Sequence, residues 1–378
     1  MLITSPKVTP KLQFGVGMDG RAEEDKMERP EKIANYDDSQ NEEEGLGSVV
    51  ANHYNNLQNK GVKERAKSRI FYMRNFNNWI KSYLINYCLE QIRERQVDDY
   101  PISVLDLGCG KGGDLLKWQK GNIKHLICAD IAAVSMEECK ERYEITKKRA
   151  RGPLFAAEFI VADCTKMRIK NNFENSNRMV DLVSCQFAFH YCFESLSQAE
   201  TMLRNISENL KKGGYFIATI PNAYEIMSRL KNSENGLSFG NEVYQIKFPE
   251  DRPETPLLFG DRYNFYLQDV VDCPEFLVHP PTLEALAAKW GLKQVWIRDF
   301  QTLFEDAVKD REYQNLLSVM RALENYPTNE QETETEGEYS HAEDHLAKND
   351  RADRIRTLSK SEWDAIRIYQ ACLFKKVT

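Results

Sequence analysis

The chain has 378 residues, 42% of them hydrophobic, and a formal net charge of -7. This length suits one large domain or two small ones with a substantial core. The acidic balance does not look like that of a nucleic-acid-binding protein, although the charges are unevenly distributed along the chain. No apolar run approaches the roughly 20 residues that a membrane-spanning helix needs, and we expect no signal peptide.

Nine cysteines are scattered along the chain, and none of them forms a C-x-x-C pair. An odd and dispersed set favours reduced, packed thiols in the cytosol or nucleus over a disulfide framework or a zinc site. We therefore predict no metal centre.

Residues 1–50 are predicted to be a disordered acidic tail, followed by one folded domain over residues 51–378. Between residues 19 and 44 there are eleven acids and four bases, and large apolar side chains are almost absent. A solvated leader is the favoured interpretation of this tail, and a regulatory segment is the alternative.

A helix is predicted downstream of the basic segment 59–69. Apolar residues recur there at helical spacing, at Phe76, Trp79, Ile80, Tyr83, Leu84 and Tyr87. Packing against the sheet accounts for the aromatic residues, but it does not account for the polar residues Asn77, Asn78 and Lys81 around Trp79. Basic residues next to aromatic ones suit nucleic-acid backbones and stacked bases.

The most informative segment is VLDLGCGKGGD at residues 104–114. It reads as a buried strand, a glycine turn and the start of a helix, an arrangement that brings bare backbone N–H groups up to a ligand. Gly108, Gly110 and Gly113 satisfy the dinucleotide pattern G-x-G-x-x-G. The loop by itself therefore leaves NAD and S-adenosylmethionine about equal.

Acidic residues at the ends of three predicted strands favour S-adenosylmethionine. Asp106 lies two residues before the first glycine, where a carboxylate repels a pyrophosphate but suits a cationic sulfonium. Asp130 suits ribose hydroxyls in either class of cofactor. Asp163 can accept a hydrogen bond from an adenine amino group. Each acid alone also suits a helix or turn cap, but three at strand ends favour the methyl donor.

The fourth predicted strand, residues 180–186, runs into QFAFHY at residues 186–191. Because ligands of open α/β sheets lie beyond the carboxyl ends of the strands, we expect Gln186, His190 and Tyr191 at the site. A lone histidine is usually structural, but this position favours a functional one.

From residue 101 to about 220, strands alternate with helices, which predicts a parallel sheet. Residues 223–280 are predicted to be an antiparallel insertion after the fifth strand that acts as a substrate lid. Residues 328–350 are predicted to be an acidic disordered loop. Ser359 and Glu362 have the spacing of a capping box at the start of a helix.

The chain resembles the eukaryotic mRNA cap guanine-N7 methyltransferases over roughly residues 52–376. The motifs that carry the resemblance are NFNNWIK (75–81), VLDLGCGKGGD (104–114), QFAFHY (186–191), GNEVY (240–244), PEFLV (274–278) and LSKSEW (358–363). The glycine loop is generic to the fold, whereas NFNNWIK and PEFLV are specific. The resemblance implies the Rossmann-like class I methyltransferase fold: a mostly parallel seven-stranded sheet with helices on both faces.

The resemblance also implies roles for individual positions. Those that match cofactor-binding residues are Lys81, Gly108, Asp130, Asp163, Gln186 and Tyr191. Those that match residues contacting the cap, or lining the cap and its phosphates, are Asn77, Asn78, Lys111, Lys117, Arg142, His190, Glu275 and Tyr369. Asp163 is followed by CTK where family members often have SSK, a departure that puts the adenine packing in doubt.

The implied reaction needs no general base, because N7 of guanine exposes a lone pair and carries no proton. Aligning the methyl donor and N7 for in-line displacement is worth about 7–11 kcal/mol. We expect Glu275, with His190 and Tyr369, to position the purine and favour its developing charge. Lys111, Lys117 and Arg142 would hold the triphosphate bridge.

Two alternatives stay open. A ribose 2′-O methyltransferase would keep the fold, but it needs a catalytic lysine that the end of the fourth strand lacks. A non-catalytic cap-binding subunit would not need the intact glycine loop and the strand-end acids. A dehydrogenase is disfavoured by Asp106 and by the lack of a second catalytic domain. The resemblance further implies a nuclear location, with capped RNA, a small activating subunit and the transcription and capping machinery as partners. The short apolar runs predict no membrane association.

Overall fold

The computed structural model describes residues 46–56, 64, 66–150, 152–253, 255–327, 337–349 and 352–378. The strands, in chain order, are β1 (Ser103–Leu107), β2 (His125–Asp130), β3 (Ala156–Val161), β4 (Val180–Gln186), β5 (Leu210–Pro221), β6 (Ser238–Gly240), β7 (Tyr244–Lys247), β8 (Arg262–Leu267), β9 (Val271–Phe276), β10 (Leu292–Asp299), β11 (Glu324–Tyr326), β12 (Ile355–Thr357) and β13 (Tyr369–Lys376).

The α-helices, numbered over the described residues, are α1 (Gly47–Asn56), α2 (Phe71–Arg93), α3 (Leu115–Lys120), α4 (Ala133–Arg149), α5 (Leu196–Asn209), α6 (Ala223–Lys231), α7 (Pro280–Lys289), α8 (Phe300–Ala307), α9 (Arg311–Met320), α10 (Ser340–Ala347) and α11 (Lys360–Ile366). None of the helices in the described ranges is long and apolar enough to cross a membrane.

A seven-stranded sheet with the order β10-β13-β5-β4-β1-β2-β3 forms the centre of the molecule. Strands β1 to β5 are parallel, and β13 pairs antiparallel with both β5 and β10. The predicted mostly parallel α/β sheet is therefore confirmed. The carboxyl ends of β1 to β5 meet at one edge, which is where the sequence placed the candidate site.

Both faces of this sheet are covered. Along β1, Leu105 and Leu107 pack into one apolar cluster, whereas Val104 packs into the other. Side chains alternate between the two faces of a strand, so a strand that is apolar throughout needs cover on both sides. Helix α2 supplies part of that cover with the fully buried Phe76 and Trp79. The indole N–H of Trp79 donates to the Tyr313 carbonyl at 3.0 Å.

The predicted insertion is a four-stranded antiparallel sheet with the order β6-β7-β8-β9. In β8 burial alternates with exposure, so that Tyr263, Phe265 and Leu267 face the interior. This period of two is the signature of a sheet with one covered face. The capping box is also confirmed: Ser359 accepts from the Glu362 N–H, and the Glu362 carboxylate accepts from the Ser359 N–H.

Two predicted boundaries are wrong. Helix α1 begins at Gly47, inside the predicted tail, because Val50 is buried against the domain. Helix α10 lies inside the predicted disordered loop 328–350, with Ala342 fully buried and Tyr326 stacked on Tyr339. In both acidic segments a few buried apolar side chains stabilise a helix. The rest of the predicted tail, residues 1–45, and residues 328–336 lie outside the described residues.

Candidate functional site

A cavity of about 620 Å³ opens at the carboxyl edge of the parallel strands. Its walls come from the loop after β1, from residues at or beyond the ends of β2, β3 and β4, from α1 and α2, and from β8 and β9 of the insertion. This is the position at which open α/β sheets bind ligands. Strands β8 and β9 place the insertion beside the cavity, and its role as a substrate lid stays a prediction.

The glycine loop follows β1 with three left-handed residues, Gly108 at φ +65°, Gly110 at φ +51° and Gly112 at φ +69°. A Cβ at Gly108 would lie 2.5 Å from the Cβ of Ala188, so only glycine fits there. The Gly110 N–H donates to Asp130 at 2.7 Å. The loop is thereby tied to the end of the neighbouring strand.

Two of the three predicted strand-end acids line the cavity. Asp130 accepts backbone hydrogen bonds from Gly110 and from Ala132, the latter at 2.8 Å. Burial raises the pKa of Asp130, and these two donors oppose the shift. Asp163 lies two residues beyond β3, and its Oδ1 accepts from the Thr165 hydroxyl at 2.6 Å. Both acids therefore lie where the sequence analysis expected them.

Asp106 does not line the cavity, and the argument that placed it beside a sulfonium is wrong. Its side chain is buried and accepts from the indole N–H of Trp118 at 3.0 Å. Burial, reinforced by nearby Asp114, raises the pKa of Asp106 to about 8. Because Asp106 lies within β1, its side chain points to one face of the sheet and not out of the carboxyl end of the strand. It is therefore buried in the core.

Within the segment 104–114, the acid that lines the cavity is Asp114, which the sequence analysis did not single out. It lies between Lys81, 2.9 Å away, and Lys117, 2.5 Å away. Although burial opposes it, the two ammonium groups hold the pKa of Asp114 well below its usual range. Lys81 lines the cavity as predicted.

Lys117 is not in the cavity wall, so its predicted contact with the cap phosphates is not supported. Its ammonium group contacts Asp114, the Asn78 side-chain oxygen at 3.3 Å and the Gly113 carbonyl at 3.2 Å. All three contacts lie within the protein, and burial lowers the pKa of Lys117. Lys117 therefore orients Asp114 and Asn78.

The opposite end of the cavity holds a buried carboxylate. Glu275 in β9 is 4% exposed, and one of its oxygens accepts from the Tyr263 hydroxyl at 2.8 Å. The other oxygen lies 3.3 Å from Nε2 of His190, which is 2% exposed. Burial, and then Glu275, raise the pKa of Tyr369 well above its usual range, so this hydroxyl stays protonated. His190, Glu275 and Tyr369 are thus brought together as predicted.

Gln186 and Tyr191 lie between these two ends. The Gln186 amide donates to the Ser184 hydroxyl at 3.1 Å, while its side-chain oxygen is buried and has no hydrogen-bond partner among the residues that the structure describes. The Tyr191 hydroxyl lies 3.3 Å from the Tyr54 hydroxyl of α1 and 3.3 Å from the sulfur of Cys273. Tyr191 therefore joins the sheet, helix α1 and the insertion.

The remaining predicted residues line the cavity from α2, the glycine loop and α4. Asn78 donates to the Arg74 carbonyl at 3.1 Å, whereas the buried side-chain oxygen of Asn77 has no hydrogen-bond partner in the described part of the chain. Lys111 forms an ion pair with Glu138 at 2.8 Å. Arg142 also lies in the wall.

Sequence reasoning missed the contribution of α1. Leu46, Gly47, Val50 and Tyr54 all line the cavity, and the Leu46 N–H donates to Glu194 at 3.0 Å. The acidic residues before this helix led to the prediction of a disordered tail. The apolar pair Val49 and Val50 was the only sequence feature that indicated a buried helix. Arg74 was also missed, although it lies one helical turn before the highlighted Asn78.

Residues 37–377 match the model of the mRNA (guanine-N(7))-methyltransferase domain. The chain belongs to this family. The match begins before residue 51, so the family domain includes helix α1. The Rossmann-like class I fold expected from the resemblance agrees with the sheet described above.

Three curated relatives carry the same name, mRNA cap guanine-N(7) methyltransferase. The Drosophila melanogaster protein is 47% identical over 333 residues, which cover 87% of this chain and 77% of that protein. The Caenorhabditis elegans protein is 39% identical over 335 residues, 87% of each chain. The Schizosaccharomyces pombe protein is 38% identical over 282 residues, 73% of this chain and 75% of that protein.

Among solved structures, the CcbJ methyltransferase from Streptomyces caelestis aligns with 79% of this chain and 95% of its own. The TM-score is 0.45 and the sequence identity is 11%. That likeness is too distant to bear on function.

Proposed function

We propose that this chain transfers a methyl group from S-adenosylmethionine to N7 of the guanosine cap at the 5′ end of messenger RNA. The observation that carries the proposal is that one cavity has two chemically different ends. One end has the glycine loop, Asp130 and Asp163, and the other has the buried carboxylate of Glu275. The names of the curated relatives support the same activity.

The glycine-loop end fits the methyl donor. Gly110 leaves open space above the loop, since a Cβ there would meet nothing within 4 Å. The side-chain oxygen of Gln186 is a buried acceptor without a partner among the described residues, and it suits an ammonium or hydroxyl group. Asp130 and Asp163 would accept from ribose and adenine, and Lys81 and Tyr191 would complete this wall. When bound, S-adenosylmethionine supplies a methyl group on a cationic sulfonium.

The other end fits guanine. Glu275 already accepts from Tyr263 through one oxygen, so its second oxygen is oriented for the N–H edge of a purine. Guanine becomes positively charged when N7 is methylated, and a buried carboxylate stabilises that charge because water does not screen it. The unpartnered Asn77 oxygen would accept from the cap, and Asn78, His190 and Tyr369 would fix its orientation.

The chain needs no general base and no metal ion for this step, because the N7 lone pair is exposed and carries no proton. His190 is then a positioning residue that lies beside Glu275. The residues instead exclude water and hold the two reactants in line. Activity in the presence of a strong chelator such as EDTA should equal that without it.

The cap phosphates would be held by Lys111 and Arg142, with Arg74 as an addition from the structure. An Arg or Lys contact to a phosphate is charge-assisted and stronger than a neutral hydrogen bond. We further propose a nuclear location and a small activating subunit. Imaging of the tagged chain tests the location, and methyl transfer by the purified chain with and without nuclear extract tests the activator.

The deciding experiment is methyl transfer from labelled S-adenosylmethionine to GpppG-capped RNA, followed by digestion that locates the label. Label on guanine N7 is the expected result. Label on ribose would establish the 2′-O alternative, and tight cofactor binding without any transfer would establish the non-catalytic one.

A further inference from the structure

Three cysteines form a cluster beneath the glycine loop. The sulfur atoms of Cys109, Cys128 and Cys139 all lie within 4.8 Å of one another. Cys109 is in the loop itself, Cys128 is in β2, and Cys139 is in α4. A Cβ at Gly112 would lie 2.7 Å from the Cys139 sulfur, so this atom packs directly against the loop. All three thiols are free.

The three thiols differ in accessibility. Cys109 is half-buried and lines the cavity, whereas Cys128 and Cys139 are buried behind it. A small molecule that enters the cavity therefore meets Cys109 first. The other six cysteines are all buried, and none of them lies in such a cluster within the described part of the chain.

The hydrogen bonding also distinguishes the thiols. Hydrogen bonds from Cys109 and Cys128, together with the charge of Arg142, lower the pKa of Cys139 below its usual range. The pKa of Cys109 is raised, because it is hydrogen-bonded to the other two sulfurs and is buried. Cys139 is thus the thiol held closest to its thiolate form. Redox-sensitive cysteines are typically accessible and often lie next to a second cysteine that resolves the sulfenic acid to a disulfide.

We propose that Cys109 and Cys139 form a reversible oxidation site, which closes to a disulfide under peroxide and is protected by the bound methyl donor. A metal site fits these thiols less well. Three thiolates would put three negative charges next to Asp130, of which a divalent ion offsets two, whereas a disulfide carries no charge. The protection by cofactor rests on the proposed function, but the disulfide itself does not.

The chemistry balances with hydrogen peroxide as the oxidant. A proton passes from Cys109 to the thiolate of Cys139, whose sulfur lies within 4.8 Å, and the Cys109 thiolate attacks peroxide to give a sulfenic acid and hydroxide. Hydroxide takes the proton back from Cys139 and becomes water. The Cys139 thiolate then attacks the Cys109 sulfur and expels hydroxide, which is protonated by solvent. The sum is one thiol, one thiolate, one peroxide and one solvent proton giving one disulfide and two waters.

Closing the disulfide would move the glycine loop. A disulfide bond is about 2.05 Å long, so the two sulfurs, which lie within 4.8 Å of each other, must move together by up to roughly 2.7 Å. The Gly110 contact to Asp130 is next to Cys109 and would be strained by that shift. We therefore expect the oxidised chain to bind S-adenosylmethionine at least ten-fold more weakly.

The experiment treats the full chain with peroxide, blocks the remaining thiols and maps linked peptides by mass spectrometry. The expected result is a Cys109–Cys139 linkage that dithiothreitol reverses and that saturating S-adenosylmethionine slows at least ten-fold. Cys139→Ala should abolish the linkage and slow the oxidation of Cys109, and the Cys109 that is oxidised should remain a sulfenic acid that dimedone traps. Cys88→Ala, a change of another buried helical cysteine in the same core, should oxidise like the unmodified chain.

Three results would overturn the proposal. One is a linkage of Cys109 to Cys128 or to any other cysteine, and another is oxidation with no linkage. The third is one equivalent of zinc bound by the reduced chain and lost in Cys139→Ala. A reduced chain that transfers no methyl group would refute the proposed function, and the linked peptide would still report on the disulfide.

Discussion

Replacement of Glu275 by glutamine is the sharpest test of how the purine is held. Glu275→Gln removes the charge and keeps the shape, and its amide oxygen can still accept from Tyr263. The variant should fold normally, because the buried polar atoms keep partners. What it loses is the negative charge that faces the developing positive charge of guanine.

The size of the loss follows from burial. Glu275 is 4% exposed, so solvent screens its charge little. Removing one preorganised group that stabilises transition-state charge costs about 10²–10³ in kcat, or about 2.7–4 kcal/mol. Because the amide oxygen retains part of the hydrogen bonding, we expect the lower end, a roughly 100-fold fall in kcat. The Kd for S-adenosylmethionine should change by less than about two-fold.

The assay measures kcat with GpppG-capped RNA and, separately, the cofactor Kd by calorimetry. Asp272→Asn is the matched control, because Asp272 lies in the same strand but is exposed, where it accepts a hydrogen bond from Asn264 at 3.1 Å. The control should keep full turnover. If Glu275→Gln retained more than a third of the turnover, or lost cofactor affinity in proportion to turnover, the assigned role of Glu275 would be wrong.

Three further outcomes are expected. Arg142→Ala should raise the KM for capped RNA and reduce by roughly 0.7–1 the slope of log affinity for RNA against log salt concentration. Lys117→Met should lower thermal stability and leave that slope unchanged. Equal slopes for the two variants would contradict the assignment of Arg142 to the cap phosphates. The pKa of Asp106 is about 8 in the folded state and roughly 3.9 in the unfolded state. Between these pH values the folded state retains a proton that the unfolded state releases, so the free energy of unfolding falls as pH rises. Asp106→Asn removes that dependence, so its gain in Tm should be larger at pH 8 than at pH 5, and an equal gain at both would count against the buried, protonated carboxyl. Deleting residues 1–45 should change the cofactor Kd by less than about two-fold. Deleting residues 1–56 also removes α1 from the cavity wall and should weaken cofactor binding at least ten-fold. Equal affinities for the two deletion variants would show that α1 plays no part in cofactor binding.

Local patterns in the sequence were enough to predict the parallel sheet and the cofactor-binding loop. The buried strands were recognisable because each is a short apolar run between glycine turns and helices, and both faces of the sheet had to be covered. Once those strands were taken as parallel, their carboxyl ends had to meet at one edge. This is why the sequence alone places Asp130, Asp163, Gln186 and His190 together. The positions in the insertion, Glu275 among them, came instead from the resemblance to a known family.

Contacts between distant segments decided the rest. Asp106 and Asp114 are eight residues apart, and the sequence alone favoured the wrong one, because which side chain reaches the cavity depends on how α3 packs against α2. Lys117 is drawn inward by Asp114, and α1 folds because Val50 is buried against a distant part of the chain. The thiol cluster joins a loop, a strand and a helix, whose spacing along the chain carries no signal of their proximity. Periodicity reports which face of an element is buried, whereas the partner of each buried polar group is set by the packing of the whole domain.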